Sequence, residues 1–543
     1  KPDWISIDIR NPKFLTVATY QGLHSACNNL TKNEENIEEE ELEVTENKIS
    51  TNKELNKIVG RLKAQNIKTI VVDEAHHLKN EWWKTLTKVK EQLSPNIVGL
   101  TATPPYDVSP NKWQRYIDLN GPIDAEISVP ELIIEGDLCP HQDYVHFTFP
   151  TDEENKMIVA FREKLKILFF ELKHDKTIIQ AIEHHPIWVN PTSNLNWIYK
   201  NLSFYSACLI YLNDNKKEIP KTHLDVIGDH KIKIPSLDYK WLEILLDFYL
   251  YKEKIHFIAF QEHQKKLLNK LRRNGVIEKK RINFSNSKRI TSFLKSSVSK
   301  LNGIQKIVDF EHQQLGKQLR MVILSDYIRK EFFIDADKNN IELNKIGIIP
   351  IFEKLRRENT NLKKIGVLTG SIIIIPKAAY THFETLANKL GISKINSSLV
   401  RYDNNYVLIH QTEQIKNSII TMVTEIFQKG EIEVLIGTKS LLGEGWDAPA
   451  INALILASFV GSFVLSNQMR GRAIRTQRDN LNKTSNIWHL ATIDKTSKNG
   501  GDDFDILTRR FKSFVGVSFR DEASIENGIG RLKIPKNILQ NDI

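Results

Sequence analysis

The stretch Thr69-Ile-Val-Val-Asp-Glu-Ala-His76 joins a short, nearly apolar run to two adjacent carboxylates. Such a run is typical of a parallel strand that is buried on both faces. Because doubly wound sheets bind ligands at the carboxyl ends of their strands, Asp73 and Glu74 stand where a site is expected. Asp73 could hold Mg²⁺ through its waters, and Glu74 could activate a water for phosphoryl transfer. The alternative interpretation of this pair is a solvated turn.

Strands and helices alternate on either side of this stretch. Glu81–Leu93 has a helical pattern that ends at Ser94-Pro95. Further strand candidates are Ile5–Ile9, Phe14–Ala18 and Ile97–Leu100. This alternation predicts a doubly wound α/β domain. Thr101 and Thr103 follow the last of these strands, so we expect their hydroxyls at the same sheet edge, where they could bond the carboxylate loop.

Two more regions follow along the chain. From about Thr151 to Leu319, apolar residues recur at helical spacing, which predicts a mainly helical insertion. Short apolar strands then return, beginning at Met321, Ile365, Tyr406, Val434, Ala453 and Ile487. The predicted fold class is α/β, with two doubly wound parallel-sheet domains and a helical insertion. The predicted boundaries are 1–135 for the first domain, 136–317 for the insertion, 318–500 for the second domain and 501–543 for a C-terminal helical tail.

A further set of polar residues lies near the carboxyl end of the chain. Gln468, Arg472 and Arg475 are spaced so that a helix would carry them on one face. Two arginines on one helix face could bind the same triphosphate, because each guanidinium group forms paired hydrogen bonds to phosphate oxygens. Upstream, Gly437-Thr438 and the loop Gly443-Glu-Gly-Trp-Asp447 follow a strand, and glycines allow backbone amides to approach a phosphate or ribose closely.

Composition narrows the class of protein. The 543 residues are 41% hydrophobic and 26% charged, which is typical of a globular chain with several domains. No apolar run reaches the about 18–20 residues that span a membrane, so we expect no membrane partner. Three widely separated cysteines, Cys27, Cys139 and Cys208, form no disulfide framework and predict a reducing, cytoplasmic location.

The net charge of +10 is concentrated in one segment. Gln264–Lys300 contains twelve lysines and arginines and one acid. We expect part of it, Lys279, Lys280 and Arg281, to contact a polyanion, and the alternative is a solvated face. Phe284 and Phe293, which lie in the same segment, either stack on bases or belong to a core.

Four motifs carry a family resemblance. In chain order they are Asp-Glu-Ala-His (73–76), Thr-Ala-Thr (101–103), the glycine-rich segment 437–449 and Gln-Met-Arg-Gly-Arg-Ala-Ile-Arg (468–475). They resemble motifs II, III, V and VI of superfamily 2 DEAH/DExH-box helicases and translocases, in the style of restriction-enzyme motor subunits and bacterial defence helicases. The resemblance covers about residues 1–135 and 318–500. It implies two RecA-like domains of the P-loop NTPase class, ATP and Mg²⁺ as cofactors, and a nucleic-acid partner, with DNA preferred.

The resemblance also implies roles for single residues. Asp73 and Glu74 would be the Walker B pair, for Mg²⁺ and for water activation, and Arg472 and Arg475 would be arginine fingers. His76, Gly445, Asp447 and Gln468 would serve the nucleotide site, with His76 coupling it to the second domain, assisted by Thr101 and Thr103. The nucleic-acid backbone would be held by Thr19, Gln21, Thr369, Gly370 and Thr438.

One departure from the family pattern leaves alternatives open. The sequence contains no GxxxxGK[S/T] phosphate loop, which the family places before its motif Ib, here Ala18-Thr-Tyr-Gln21. We therefore expect that loop to precede Lys1, in an ATP-hydrolysing helicase of a restriction or anti-phage system. The alternatives are a non-hydrolysing pseudo-helicase scaffold, or the motor part of a restriction endonuclease whose nuclease lies in another domain or in a defence-complex subunit. The pair His184-His185 has no Cys or carboxylate partner at ligand spacing, so we expect no metal there.

Overall fold

The chain folds into two compact units. The computed structural model describes residues 2–28, 51–78, 80–102, 104, 110–228, 234–278, 281–284, 290, 293–294, 296–334, 336–392, 394–438, 441–442, 446–457, 463–497, 500–512, 514–518 and 524–535. Unit 1 comprises Lys1–Leu138 and Ser462–Arg475, and unit 2 comprises Cys139–Gly461 and Thr476–Ile543. The domain boundaries predicted from the sequence stay predictions.

Unit 1 contains two short parallel strand pairs and several helices. The strands are β1 (Ile5–Ser6), β2 (Leu15–Thr16), β3 (Thr69–Val72) and β4 (Asn96–Gly99), with β1 paired to β2 and β3 to β4. The helices are Tyr20–Asn28, Thr51–Ala64, Asn80–Leu93, Pro110–Asn120, Val129–Ile134 and Phe463–Ala473. The strands and the helix predicted around the two carboxylates are confirmed, whereas β1 and β2 are shorter than the apolar runs that contain them.

Strands β3 and β4 bury only one face. Val72 is buried in a small core with Leu86 and Leu119, and Ile70 packs partly against it. Side chains alternate along a strand, so Val71 and Val98 point the other way, and they are 58% and 42% exposed. The prediction that both faces are buried is therefore wrong for these strands, because the described residues of unit 1 cover one side only.

Unit 2 is built on a nine-stranded mixed sheet. Its strands, together with two short hairpins, are β5 (His141–Thr148), β6 (Ile277–Glu278), β7 (Arg281–Ile282), β8 (Met321–Ser325), β9 (Ile365–Leu368), β10 (Ile373–Pro376), β11 (Ser397–Val400), β12 (Asp403–Ile409), β13 (Val434–Thr438), β14 (Ala453–Leu456), β15 (Ser485–Thr492), β16 (Val515–Val517) and β17 (Ile525–Asn527). The sheet order is β11-β12-β10-β9-β13-β8-β14-β15-β5.

The centre of this sheet is parallel and its β11 side is antiparallel. Strands β9, β13, β8, β14, β15 and β5 run parallel to one another, while β10 pairs antiparallel with β9 and β12, and β12 pairs antiparallel with β11. Every residue of β8, β9, β13 and β14 is buried, as expected for parallel strands covered on both faces. The α/β fold class predicted from these apolar runs is confirmed.

Helices surround the sheet and fill the segment before it. They are Asp152–Lys173, Lys176–Glu183, Pro186–Val189, Leu195–Lys200, Leu202–Asp214, Lys221–Ile227, Tyr239–Asp247, Gln261–Arg273, Ser299–Leu315, Ile348–Arg357, Tyr380–Lys389, Glu413–Lys416, Ile419–Gln428 and Asp502–Phe511. The first begins at a capping box in which Thr151 and Glu154 bond each other's backbone amides, as its sequence predicts. No helix in the described ranges is both long and apolar enough to cross a membrane.

Two segments differ from the helical prediction. Strand β5 lies at the start of the predicted insertion, and it pairs with β15 along its whole length, from His141 opposite Ser485 to Thr148 opposite Thr492. In the described part of the predicted helical tail, the helix Asp502–Phe511 is followed by the β16–β17 hairpin and a short 3₁₀ helix, Ile529–Leu532. An aromatic core fills the helical segment itself. Phe284 is buried in that core, with its ring 5.7 Å from the ring of Tyr239, so it is a packing residue.

The last lysine of the basic segment is buried. Lys300 Nζ lies 2.7 Å from Asp503 Oδ2, and the two side chains are 2% and 4% exposed. The same carboxylate oxygen accepts a hydrogen bond from the amide of Thr492, 2.8 Å away. Lys300 therefore joins the helix Ser299–Leu315 to the helix Asp502–Phe511, and its charge does not face a polyanion.

We expect Lys300→Met to destabilise unit 2. The change breaks a buried ion pair by removing one partner, which typically costs about 3–5 kcal/mol of unfolding free energy. Urea denaturation of the whole protein, followed by circular dichroism, measures the loss. Lys429→Met is the matched control, because Lys429 and Glu425 form a half-exposed pair at 3.1 Å, whose loss should cost at most about 1 kcal/mol. Equal denaturation midpoints for the two variants would contradict the assigned role.

Candidate functional site

The carboxylate turn follows β3 directly. The amide of Leu100 donates to the carbonyl of Val72 (2.9 Å), and the amide of Ala75 donates to the carbonyl of Leu100 (3.0 Å), so the β3–β4 ladder continues into the turn. Asp73 is exposed, and its Oδ1 accepts the amide of Glu74 at 2.9 Å. One oxygen of this carboxylate is thus held by the turn, and the side chain faces solvent.

Glu74 adopts an unusual backbone conformation. Its φ of 46° and ψ of 47° lie in the left-handed region, which costs a non-glycine residue about 1–3 kcal/mol. Its Oε2 is enclosed and has no hydrogen-bond partner among the described residues, and it lies 3.4 Å from His76 Nδ1. Local strain and an enclosed carboxylate oxygen therefore coincide at the residue predicted to activate water.

His76 connects the turn to two other segments of unit 1. Its side chain is 1% exposed, and its Nδ1 lies 2.6 Å from Thr101 Oγ1. Its Nε2 lies 3.5 Å from Gln468 Nε2. The two ring nitrogens of His76 therefore contact two segments that lie far apart in the sequence. The predicted bond from Thr101 to the carboxylate loop is confirmed, while the coupling role stays a prediction.

The helix Phe463–Ala473 belongs to unit 1 although it lies far from the rest of that unit in the sequence. Gln468 and Arg472 are half-buried, and Arg470, which our motif reading did not single out, is buried. The helix ends before Arg475, which is exposed and forms a backbone bridge with Leu138. The predicted shared helix face therefore holds for Gln468 and Arg472, and Arg475 lies beyond it.

Tyr20 is a site residue that the motif analysis missed. Its hydroxyl donates a hydrogen bond to the backbone carbonyl of Asp73, and its ring stacks on Trp82 with centroids 6.1 Å apart. Burial, followed by the charges of Asp73 and Glu74, raises the pKa of Tyr20 to about 12, so it is a neutral donor at ordinary pH. The available signal was its position within Ala18-Thr-Tyr-Gln21.

The two predicted nucleic-acid contacts in unit 1 lie at the start of one helix. Thr19 is exposed, and its Oγ1 accepts the amide of Gly22 at 3.0 Å, which caps the helix Tyr20–Asn28. Gln21 is exposed on the first turn of that helix. Thr19 therefore has a structural role in addition to the predicted one.

The predicted site residues of unit 2 lie mainly at strand ends. Thr369 is fully buried, and its hydroxyl donates to the carbonyl of Ile372 at 2.9 Å, so it shapes its own turn. Gly370 is exposed beside it, with open space where a Cβ would stand. Thr438 ends β13 and is buried, whereas Asp447 and Arg281 are exposed. Thr103, Lys279, Lys280 and Gly445 lie outside the described residues.

We expect Tyr20→Phe to loosen the carboxylate turn without removing the aromatic stack. The lost hydrogen bond should lower the unfolding free energy of unit 1 by about 0.5–1.5 kcal/mol. Urea denaturation measures this loss, with Tyr199→Phe as the control, because Tyr199 is exposed and its change should stay within about 0.5 kcal/mol. A Tyr20→Phe variant as stable as the control would show that the hydroxyl contributes nothing to the turn.

Comparison with solved structures gives weak overlaps. The helicase domain of Hef from Pyrococcus furiosus is 16% identical with a TM-score of 0.33, and the match covers 83% of this chain and 76% of that one. A fragment of a putative HsdR subunit of a type I restriction enzyme from Vibrio vulnificus is 12% identical with a TM-score of 0.34. That match covers 90% of this chain and 50% of the fragment. At these TM-scores, neither structure adds an argument about function.

A family model gives a firmer result. No curated protein matches the sequence. Residues 9–106 match the family model of the type III restriction enzyme res subunit. The match contains the carboxylate turn, Tyr20 and Thr101. The resemblance to restriction-enzyme motor subunits that the motifs predict is therefore confirmed over residues 9–106.

Proposed function

We propose that the protein is an ATP-driven helicase or translocase that acts on nucleic acid. One observation carries this proposal: Gln468 lies 3.5 Å from His76, although the two residues are 392 positions apart in the sequence. That contact brings the helix that carries Arg472 to the carboxylate turn. An acidic pair for a metal and a water, near a helix that bears arginine, is the arrangement that phosphoryl transfer requires.

The donor set at the turn suits Mg²⁺. Asp73 offers an exposed carboxylate, and Mg²⁺ prefers oxygen ligands while keeping several of its waters. A bound Mg²⁺ would neutralise charge on the phosphates of ATP. Glu74 would orient and deprotonate the attacking water, and its enclosed Oε2 has no competing hydrogen-bond partner among the described residues. Arg472 and Arg475 would bind the γ-phosphate, and Gly445 and Asp447 would contact the nucleotide.

The proposed path of nucleic acid uses backbone as well as side chains. Gly370 is exposed, with nothing where its Cβ would stand, so its amide can approach a phosphate closely. The hydroxyl of Thr369 is occupied in its own turn, and we assign that residue a positioning role beside Gly370. Thr19, Gln21 and Thr438 would add further contacts. DNA is the substrate that we propose, within a restriction or anti-phage defence system; the motor part of a restriction endonuclease whose nuclease lies elsewhere is an alternative.

A non-hydrolysing scaffold is the second candidate function. The observation that favours it is the absence of a GxxxxGK[S/T] phosphate loop from the printed sequence. A scaffold would bind nucleic acid without turnover, whereas the motor requires that loop elsewhere in the gene product. ATPase assays on the protein expressed from its complete gene separate the two candidates.

We expect Glu74→Gln to abolish ATP turnover in that protein while nucleotide binding persists. The amide cannot accept the proton of the attacking water, and a general base typically contributes about 10²–10⁴ in rate. Steady-state ATPase rates and nucleotide titration measure the two effects. Glu81→Gln is the matched control, because Glu81 is an exposed helix residue paired with Lys84, and it should leave the rate unchanged. Turnover of Glu74→Gln at the control rate would refute the assigned role.

The basic segment gives an independent expectation. If Lys279, Lys280 and Arg281 contact phosphates, their replacement by Ala should weaken nucleic-acid binding. It should also reduce the slope of log K against log salt by up to about 2–3 units, since each contact contributes roughly 0.7–0.9. Fluorescence anisotropy over a salt series measures both. The control removes the same charge from the exposed residues Lys216, Lys217 and Lys221. Identical slopes for the two triple variants would place the three charges on a solvated face.

A further inference from the structure

Two histidines and a carboxylate converge in the helical part of unit 2. His185, Glu253 and His256 each place one potential ligand atom within 4.8 Å of the other two. Glu253 Oε1 lies 3.3 Å from His256 Nδ1, and the rings of His185 and His256 are 4.7 Å apart at their centroids. This cluster is independent of the carboxylate turn in unit 1, and the proposed ATP chemistry does not use it.

His185 is the anchor of the cluster. It caps the short helix Pro186–Val189, with its Nδ1 accepting the amide of Ile187 at 3.2 Å. The other ring nitrogen, Nε2, is enclosed and has no hydrogen-bond partner in the described part of the chain. This enclosed Nε2 becomes available to a metal once the ring proton moves to Nδ1.

Glu253 is held in place by backbone amides. A π-helical turn, Phe248–Lys252, ends directly before it, and such turns are frequent at functional sites. Its Oε1 accepts the amides of Ile255 (2.9 Å) and His256 (3.3 Å). The carboxylate is therefore already oriented by its own backbone.

The surroundings give the cluster an apolar wall and an opening. The ring of His185 lies 5.4 Å from that of Trp197 and 5.3 Å from that of Phe257. An apolar wall limits water access and strengthens the interaction of a cation with its ligands. The side chain of His256 is 36% exposed, which leaves a route from solvent to the cluster.

We propose that His185, Glu253 and His256 bind one Zn²⁺ ion or a similar borderline divalent transition metal, with water as the fourth ligand. Two imidazoles and one carboxylate form an established ligand set for such ions. Tetrahedral bonds of about 2.0–2.2 Å place ligand atoms about 3.3–3.6 Å apart. The three ligand atoms now lie within 4.8 Å of one another, so ring rotations that move the histidine nitrogens by about 1 Å would bring them to bonding positions. Binding through Nε2 moves the ring proton of His185 to Nδ1 and replaces one helix-cap hydrogen bond by a stronger metal bond.

The spacing of residues along the sequence could not reveal these three ligands. The pair His184-His185 has no ligand partner nearby in the sequence, and Glu253 and His256 lie on a later segment of the helical block. Only the packing of that segment against the short helix Pro186–Val189 brings the three side chains together. His184 itself turns away, with its Nδ1 2.7 Å from the carbonyl of Gln180.

Zinc titration of the chelator-treated protein tests this site. Calorimetry should give the wild type one equivalent of Zn²⁺ more than His256→Ala, which removes the most exposed ligand. Loss of a direct ligand should weaken binding at the site by more than about a hundredfold, because even outer partners of a ligand contribute 10–100-fold. The melting temperature of the wild type should rise with added Zn²⁺, and that of His256→Ala should rise less.

Two more variants complete the test. Glu253→Gln keeps the shape of the side chain and an oxygen for the two amides, and it should also lose the extra equivalent. His184→Ala is the matched control, because it removes a neighbouring exposed histidine and should bind as the wild type does. Circular dichroism confirms that each variant is folded. Zinc binding of wild-type stoichiometry and affinity in both His256→Ala and Glu253→Gln would overturn the proposal, as would a wild type that binds no zinc.

Discussion

Burial of the central strands on both faces is the constraint on which the arrangement of unit 2 depends. In β8, β9, β13 and β14, each side chain faces other protein groups, so a charged residue within these strands would lose its hydration without compensation. Polar chemistry is thereby restricted to the strand ends. Thr438 at the end of β13 and Thr369 just beyond β9 follow this restriction. In unit 1, Asp73 and Glu74 stand at the same place relative to β3.

Several charged side chains in the interior of unit 2 contact one another in groups. Asp143 on β5 lies 3.2 Å from the Nε2 of His489 on β15, and it accepts a bond from Arg531 at 3.1 Å. All three side chains are buried, so the paired strands and the C-terminal segment share one polar network. Glu311 similarly accepts bonds from Asn486 and Trp488, and burial raises its pKa although these bonds oppose the rise. Such networks specify which segments pack together, because any other packing leaves a buried charge without a partner.

Much of the fold was predictable because apolar runs encode strands that are covered on both sides. The runs at Met321, Ile365, Val434 and Ala453 begin strands that the structure confirms. The partner of β5 was not predictable, since period and composition carry no information about pairing between distant segments. Burial was overpredicted at Val71 and Val98, which are exposed. An apolar strand sequence does not specify whether anything packs on its second face.

Some residues of the candidate site were likewise predictable from the sequence, and others were not. Asp73, Glu74 and Thr101 were found because consecutive strands end at one sheet edge, which local sequence reveals. Tyr20 and the cluster around His185 were missed, because their significance depends on contacts between segments far apart in the chain. Arg475 shows the limit of spacing arguments, since a helix can end within the interval that the spacing assumes.

The pairing of β5 with β15 has a consequence for the synthesis of the chain. Thr148 and Thr492, whose hydroxyls lie 3.0 Å apart in the finished sheet, are 344 residues apart in sequence. At translation rates of about 5–20 residues per second, the ribosome needs roughly 20–70 s to deliver β15 after β5 has emerged. During that interval the helical block that follows β5 is synthesised, while the edge of β5 that pairs with β15 stays open. Closure of the sheet is therefore a late event in biogenesis, and a nascent chain paused before residue 485 would present an exposed strand edge to chaperones and to other nascent chains.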